Sequence, residues 1–263
     1  MQDVVQRVQI VPNYAGGFLF SWEVSLALLD AAPWSFLVQE APTDRGPWTS
    51  ISPALVGQYM WAERHNRVIN KDMVLWFRVQ LTTPKDTYAS VPIAPYGALG
   101  KREYLLVRDI MRRETLQAAT LAGTLGTLWI RSTFGPKCYA SLDPITGDVT
   151  KTDCDVCYGT GRNPGYHGPY HLWFTFSPAQ KDEQMTEDGT GTRQPYSHTV
   201  RAIGSPYIKD SDVLVDQTSQ KRYYVDAVAV ETEIRRVPIV QVLTVHEVPV
   251  SDPIYRLGSV QNA

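Results

Sequence analysis

The chain has 263 residues, of which 43% are hydrophobic and 20% charged, an ordinary globular balance that permits a buried core. Its formal net charge is −2, so the balance calls for neither a DNA-wrapping nor a membrane-adhering surface, and no run approaches the ~18 apolar residues of a membrane span. The start, Met1-Gln2-Asp3-Val4, lacks the basic-then-apolar pattern of a secretory signal, which implies synthesis in a reducing cytosol.

Residues 1–96 read as strands. Val8-Gln9-Ile10-Val11 alternates weakly, and Phe18 to Val24 alternates well, with Phe18, Phe20, Trp22 and Val24 on one face. Trp34 to Glu40 follows, then a polar turn, Asp44-Arg45-Gly46-Pro47-Trp48. Met73 to Leu81 is a near-continuous apolar strand, and Tyr88 to Val91 is the last. Short strands with regular turn signals over about 100 residues predict a sandwich. Trp22 early, Gly46-Pro47-Trp48-Thr49 in the middle and Trp76-Phe77-Arg78-Val79 late resemble a fibronectin type III domain; residues 57–72 fit that pattern less well.

A linker, Tyr96 to Gly100, leads into the segment 97–131, where the period changes. Tyr104, Val107, Ile110 and Met111 recur at helical spacing, so a single helix is predicted over 101–122, ended by Gly123 and Gly126. Leu128 to Arg131 resumes as a strand. Arg102, Arg108, Arg112 and Arg113 on the helix have two readings. One is a solvated face with i,i+4 pairing; the other is a positive strip lining a channel that carries DNA and touching phosphate without sequence preference.

Residues 132–170 are rich in Gly, Pro, Thr and Asp and contain every cysteine. Three is an odd number and two are tightly spaced, which favours free thiols or a metal site over a disulfide framework. Cys154-x-x-Cys157 is a knuckle that turns two thiolates toward one ion, and Tyr158-Gly159-Thr160-Gly161 continues it in the manner of zinc knuckles of the DnaJ type. The glycines permit the positive φ that such a turn requires. A full ribbon would carry a second pair upstream, but Cys138-Tyr139-Ala140-Ser141 has serine, a very poor zinc ligand, where the cysteine would stand. The candidate ligands of a zinc ion are therefore Cys138, Cys154, Cys157 and His167, with His171 as an alternative fourth. The other reading is a metal-free loop held by its turns and by Tyr139 and Tyr158.

From residue 171 the strand pattern returns: Trp173 to Phe176, His198 to Ile203, Asp212 to Asp216, Arg222 to Val230 and Val237 to Val248. Strands with tight turns over about 90 residues predict a small β-barrel at 171–263. The polar stretch 180–195 reads as a long loop that is functional or ordered by a partner. No His-Glu-x-x-His, Gly-x-Ser-x-Gly elbow, Walker loop or dinucleotide fingerprint occurs, and nothing places a nucleophile beside a base, so no enzyme is predicted.

Arg102 to Glu114, Lys137 to Thr150, Cys154 to Gly161 and, in the tail, Asp212 to Asp216, Arg222 to Val225, Val237 to Val240 and Asp252 to Leu257 resemble a family of tailed-phage neck proteins. The resemblance covers about two thirds of the chain. It implies a structural virion protein, assembled in the host cytoplasm, that joins portal to tail as a ring of copies. Its neighbours would be a portal or adaptor and a tail terminator or sheath protein, with non-specific contact to packaged DNA and none to membrane. Loop 180–195 and tail 249–263 would add to a neighbour's sheet edge. The competing readings are a zinc-ribbon nucleic-acid binder, a glycan-active enzyme and a host-surface adhesin using Trp48 and Trp61.

Overall fold

The computed structural model describes residues 4–12, 17–25, 34–63, 75–94, 101–133, 136–143, 145–177, 197–204, 206–235 and 237–258. The linker at 96–100, the loop at 180–195 and the last five residues lie outside them. Among the described residues the protein is mainly β with one α-helix, and it divides into two compact units. One comprises residues 1–109 with 132–167, the other 110–131 with 168–263.

The first unit begins with a two-sheet sandwich. β1 (Val5–Pro12), β2 (Phe18–Val24) and β6 (Met60–Ala62) form one sheet in the order β1-β2-β6. The other runs β4-β3-β7-β8, built from β4 (Thr49–Ser50), β3 (Ser35–Ala41), β7 (Trp76–Thr82) and β8 (Thr87–Ala89), with β5 (Leu55–Val56) also on β3. Of the short strands, β6 falls within 57–72, where the sequence fits its pattern least well, and residues 64–72 lie outside the described ones. Alternation places Phe18, Phe20 and Trp22 of β2 inward, each at most 1% exposed, against Phe36 of β3 and Phe77 of β7. Each such ring contributes roughly 1.5–3 kcal/mol by leaving water. β7 proves to alternate: Phe77, Val79 and Leu81 face in, while Arg78 turns outward over the Trp48 ring at 4.3 Å and donates to Gln39 Oε1.

The segment expected to stand as a separate module, 132–170, belongs mostly to this unit. Pro164 lies beside Gly57, and the His167 ring meets Tyr59 edge-on, so its backbone is anchored on the sandwich.

Helix α1 (Lys101–Gln117) buries Tyr104, Val107, Met111 and Thr115 along one stripe. It passes into a π-helical turn at Ala118–Ala122 and ends at Gly123, whose N–H donates to the Ala118 carbonyl. A Cβ on Gly123 would lie 2.5 Å from that oxygen, so only glycine closes the turn. Gly126, expected to help end the helix, instead lies in the first barrel strand.

The second unit is a closed six-stranded barrel. Its strands are β9 (Thr124–Arg131), β10 (Tyr166–Phe176), β11 (Ser197–Ile203), β12 (Val213–Asp216), β13 (Arg222–Ile234) and β14 (Val237–Glu247), in the order β10-β11-β14-β13-β12-β9. Leu128, Phe174, Val200, Val213, Leu243 and Val245 fill it, each fully buried. Two buried polar groups tie the loops to it. The two carboxylate oxygens of Asp212 accept the Arg131 and Lys209 backbone N–H groups, both at 2.8 Å. The Gln241 carboxamide both accepts from and donates to the Ile208 backbone.

β13 and β14 form a long hairpin. Only Arg222 to Tyr224 of β13 pair with β12, whereas the hairpin continues to Ile234. Among the described residues, 226–234 pair on one side only, and most of them are exposed. The equivalent end of β14 is covered on its other side, where Gly204 N–H donates to the Ile239 carbonyl at 2.7 Å. The tail to Gly258 does not extend away as a strand. Its 3₁₀ turn, Pro253–Arg256, buries Ile254, and the Arg222 guanidinium donates to the carbonyls of Ile254 and Leu257.

Candidate metal centre

The thiol cluster is built by two loops of equal spacing. Cys138 is fixed by its N–H, which donates to the Gly161 carbonyl at 2.9 Å, beside an isolated bridge between Lys137 and Arg162. The chain then turns, and the Ser141 N–H returns to the Cys138 carbonyl at 3.1 Å. In the second loop the Tyr158 N–H reaches the Cys154 carbonyl at 2.8 Å, and the Thr160 N–H reaches that of Cys157 at 2.9 Å. Tyr158, Gly159 and Gly161 all have positive φ, the conformation expected of the knuckle. Gly165 must be glycine for a different reason: a Cβ there would lie 2.2 Å from the Cys157 carbonyl oxygen.

These turns bring Cys138, Cys154 and Cys157 together, with all three sulfurs within 4.8 Å of one another. Cys138 and Cys154 Sγ are 3.8 Å apart, far beyond the ~2.05 Å of a disulfide. Cys138 and Cys157 are buried and Cys154 is half-buried. Burial pushes the Cys138 thiol up. Burial acts the same way on Cys157, but the Ser141 hydroxyl, the Gly161 N–H, the Cys154 thiol and the Gly159 N–H together outweigh it, and its thiol titrates lower than usual. Backbone donors aimed at one sulfur favour its thiolate, the form that binds metal. Three convergent thiols of this kind can hold a metal ion.

Ser141 is the residue that sequence reasoning treated only as a departure. It is 1% exposed, and its Oγ lies 3.0 Å from Cys157 Sγ. The signal was its spacing from Cys138. His167 does not join the cluster. Its Nε2 pairs with Ser132 Oγ at 2.8 Å, and burial pushes its pKa down to about 4, so it is a neutral core histidine. His171 is exposed on β10, with Nδ1 beside the Gln217 carboxamide. The Asp143 turn is likewise accounted for without calcium: Asp143 Oδ1 accepts the N–H groups of Ile145 and Thr146.

The helix arginines do not form one line. At 100° per residue, Arg102 and Arg113 fall about 20° apart around the axis, but Arg112 and Arg108 diverge from Arg102 by about 80° and 120°. A shallow groove along the helix sets Arg102 and Arg108 beside Glu103, Asp109 and two leucines, so opposite charges offset one another there.

No known family model matches the chain, and no curated protein sequence matches it. Fold and site thus define a multi-module β protein with a three-thiol centre. No described helix is long and apolar enough to cross a membrane.

Proposed function

We propose that this protein is a structural component of a tailed-phage neck, acting as a ring of copies between portal and tail. The reading takes its function from the family resemblance of the helix, cysteine segment and tail. The observation that carries it is the outer half of β13. A strand whose backbone groups pair on one side only is a template for another chain, and soluble proteins normally cover or blunt it. Among the described residues, 226–234 pair on one side only in a long hairpin, with Ala227, Val228, Ala229 and Val230 along it. Repeated head-to-tail use of one such edge closes a ring when the rotation permits. The described tail seals its own barrel, so the hairpin is the better candidate surface. In the same reading the cysteine cluster is a structural zinc centre, and the protein's work is adhesion without bond chemistry.

Native mass measurement of the purified chain, with a search for it in purified phage particles, tests this. A closed high-order oligomer found in particles is expected. A monodisperse monomer at all concentrations, absent from particles, refutes it.

A further inference from the structure

The fourth position of the thiol centre can be assigned from its geometry. Zinc bound by thiolates is tetrahedral with bonds of about 2.3 Å, so two of its sulfurs stand about 3.8 Å apart. Cys138 and Cys154 Sγ are already 3.8 Å apart. The two loops share the spacing Cys138-x-x-Ser141 and Cys154-x-x-Cys157, and a backbone N–H returns to the carbonyl of each first cysteine, from Ser141 itself in the first loop and from Tyr158, one residue past Cys157, in the second. By that correspondence, Ser141 Oγ stands where the second thiol of the first loop would be. It lies against Cys157 Sγ at 3.0 Å and donates to the Cys138 carbonyl at 3.1 Å, while the residue is almost fully buried. Burial at that corner favours a closed, structural site over one with an exchangeable water. The histidine alternative is engaged with Ser132.

We propose that the Ser141 hydroxyl is the fourth donor, making a Cys3Ser site for a divalent, thiophilic cation of the zinc class. The inference rests on reading the cluster as a metal centre. Three thiolates around a divalent ion leave one net negative charge, against two for four thiolates. The lower charge is easier to bury, at the expense of a weaker fourth bond. Binding releases the thiol protons, so affinity rises with pH.

The test uses the full chain, purified under reducing conditions, stripped with chelator and titrated with Co²⁺ alone as an optical probe, then with Zn²⁺ in competition. Wild type should show tetrahedral Co²⁺ bands with three-sulfur charge-transfer intensity. Ser141→Ala should retain that intensity and lose affinity by about 10- to 100-fold. Ser141→Cys should raise the intensity by about a third, as four sulfurs replace three, and bind more tightly than wild type. His167→Gln should leave spectrum and affinity unchanged. If Ser141→Ala binds like wild type, or His167→Gln alone abolishes binding, the assignment of Ser141 fails and the metal centre survives. If wild type shows no tetrahedral bands, the metal-centre reading itself fails, and bands confined to Ser141→Cys would show that the hydroxyl is no donor.

Discussion

The buried Asp212 carboxyl makes the barrel's stability depend on pH in a direction opposite to the usual salt-bridged acid. Asp212 is 1% exposed, and burial pushes its pKa from 3.8 up to about 7, against the two backbone N–H groups that favour the carboxylate. Because the folded pKa lies above the unfolded one, the native state holds the proton more tightly. Stability is greatest below pH about 4, falls as the carboxyl ionises toward pH about 7 and is flat above that. At about 1.4 kcal/mol per unit of pKa, the loss between pH 5 and 8 is about 2–3 kcal/mol. His167 in the other unit acts in the opposite sense: it is depressed to about 4, so the stability it contributes is present above pH about 6.5 and lost as pH falls toward 4. The assay must therefore read the barrel alone. Urea unfolding with pulsed hydrogen exchange, read on peptides from β9 and β12, does so. Asp212→Asn loses an acceptor and has a lower baseline, but cannot titrate. The stability gap between wild type and Asp212→Asn should shrink by about 2–3 kcal/mol from pH 5 to pH 8. A gap that stays constant, or that widens with pH, would refute the reasoning.

Val230 is 40% exposed on the outer half of β13. Val230→Lys should change unfolding free energy by less than about 0.5 kcal/mol and yet shift the native mass distribution to smaller species; an unchanged oligomer removes this edge from the proposed ring contact. Gly165→Ala forces the Cys157 backbone aside, so Co²⁺ affinity should fall at least about 10-fold while hydrogen exchange in β11 and β14 is unchanged. Trp22→Ala empties the centre of the sandwich and should cost about 3–5 kcal/mol in that unit, read by exchange in β3 and β7.

Where burial and period coincide, the sequence was legible. β2, β3, β7, the helix and every described strand from Ser197 onward occur close to their predicted positions, because one buried face sets the hydrophobic pattern, although the alternation of β7 appears only in the structure. Strands of two or three residues, such as β4 to β6, leave too few positions for a period to appear. β10 begins at Tyr166, earlier than expected, because Gly168 and Pro169 look like loop residues. Gly168 is required by the Leu128 carbonyl and Trp129 ring packed against it. At the candidate site the cysteines were legible from spacing. His167 was not, since its partners Ser132 and Tyr59 are distant in sequence and only the fold reveals that it is occupied. Asp212 and Gln241 were invisible for the same reason: nothing local marks a polar side chain as the clamp of a remote backbone.

The cysteine segment is also where a cross-link would have the most effect. Several of its larger apolar side chains face water: Tyr139 is 78% exposed, Ile145 92% and Val156 48%. What it buries between its two loops is chiefly Cys138, Ser141 and Cys157, too little apolar area to offset the entropy of ordering such a loop. Backbone bonds alone contribute only about 1 kcal/mol each. A segment of this kind ordinarily holds its shape through disulfides or a metal. The sulfur spacing rules out the first in the arrangement seen, and three converging thiols beside a buried hydroxyl suit the second. Tyr139, Ile145 and Val156 are exposed on loops whose described internal contacts are backbone hydrogen bonds and the thiol cluster, so a metal held there would be the main cross-link between them.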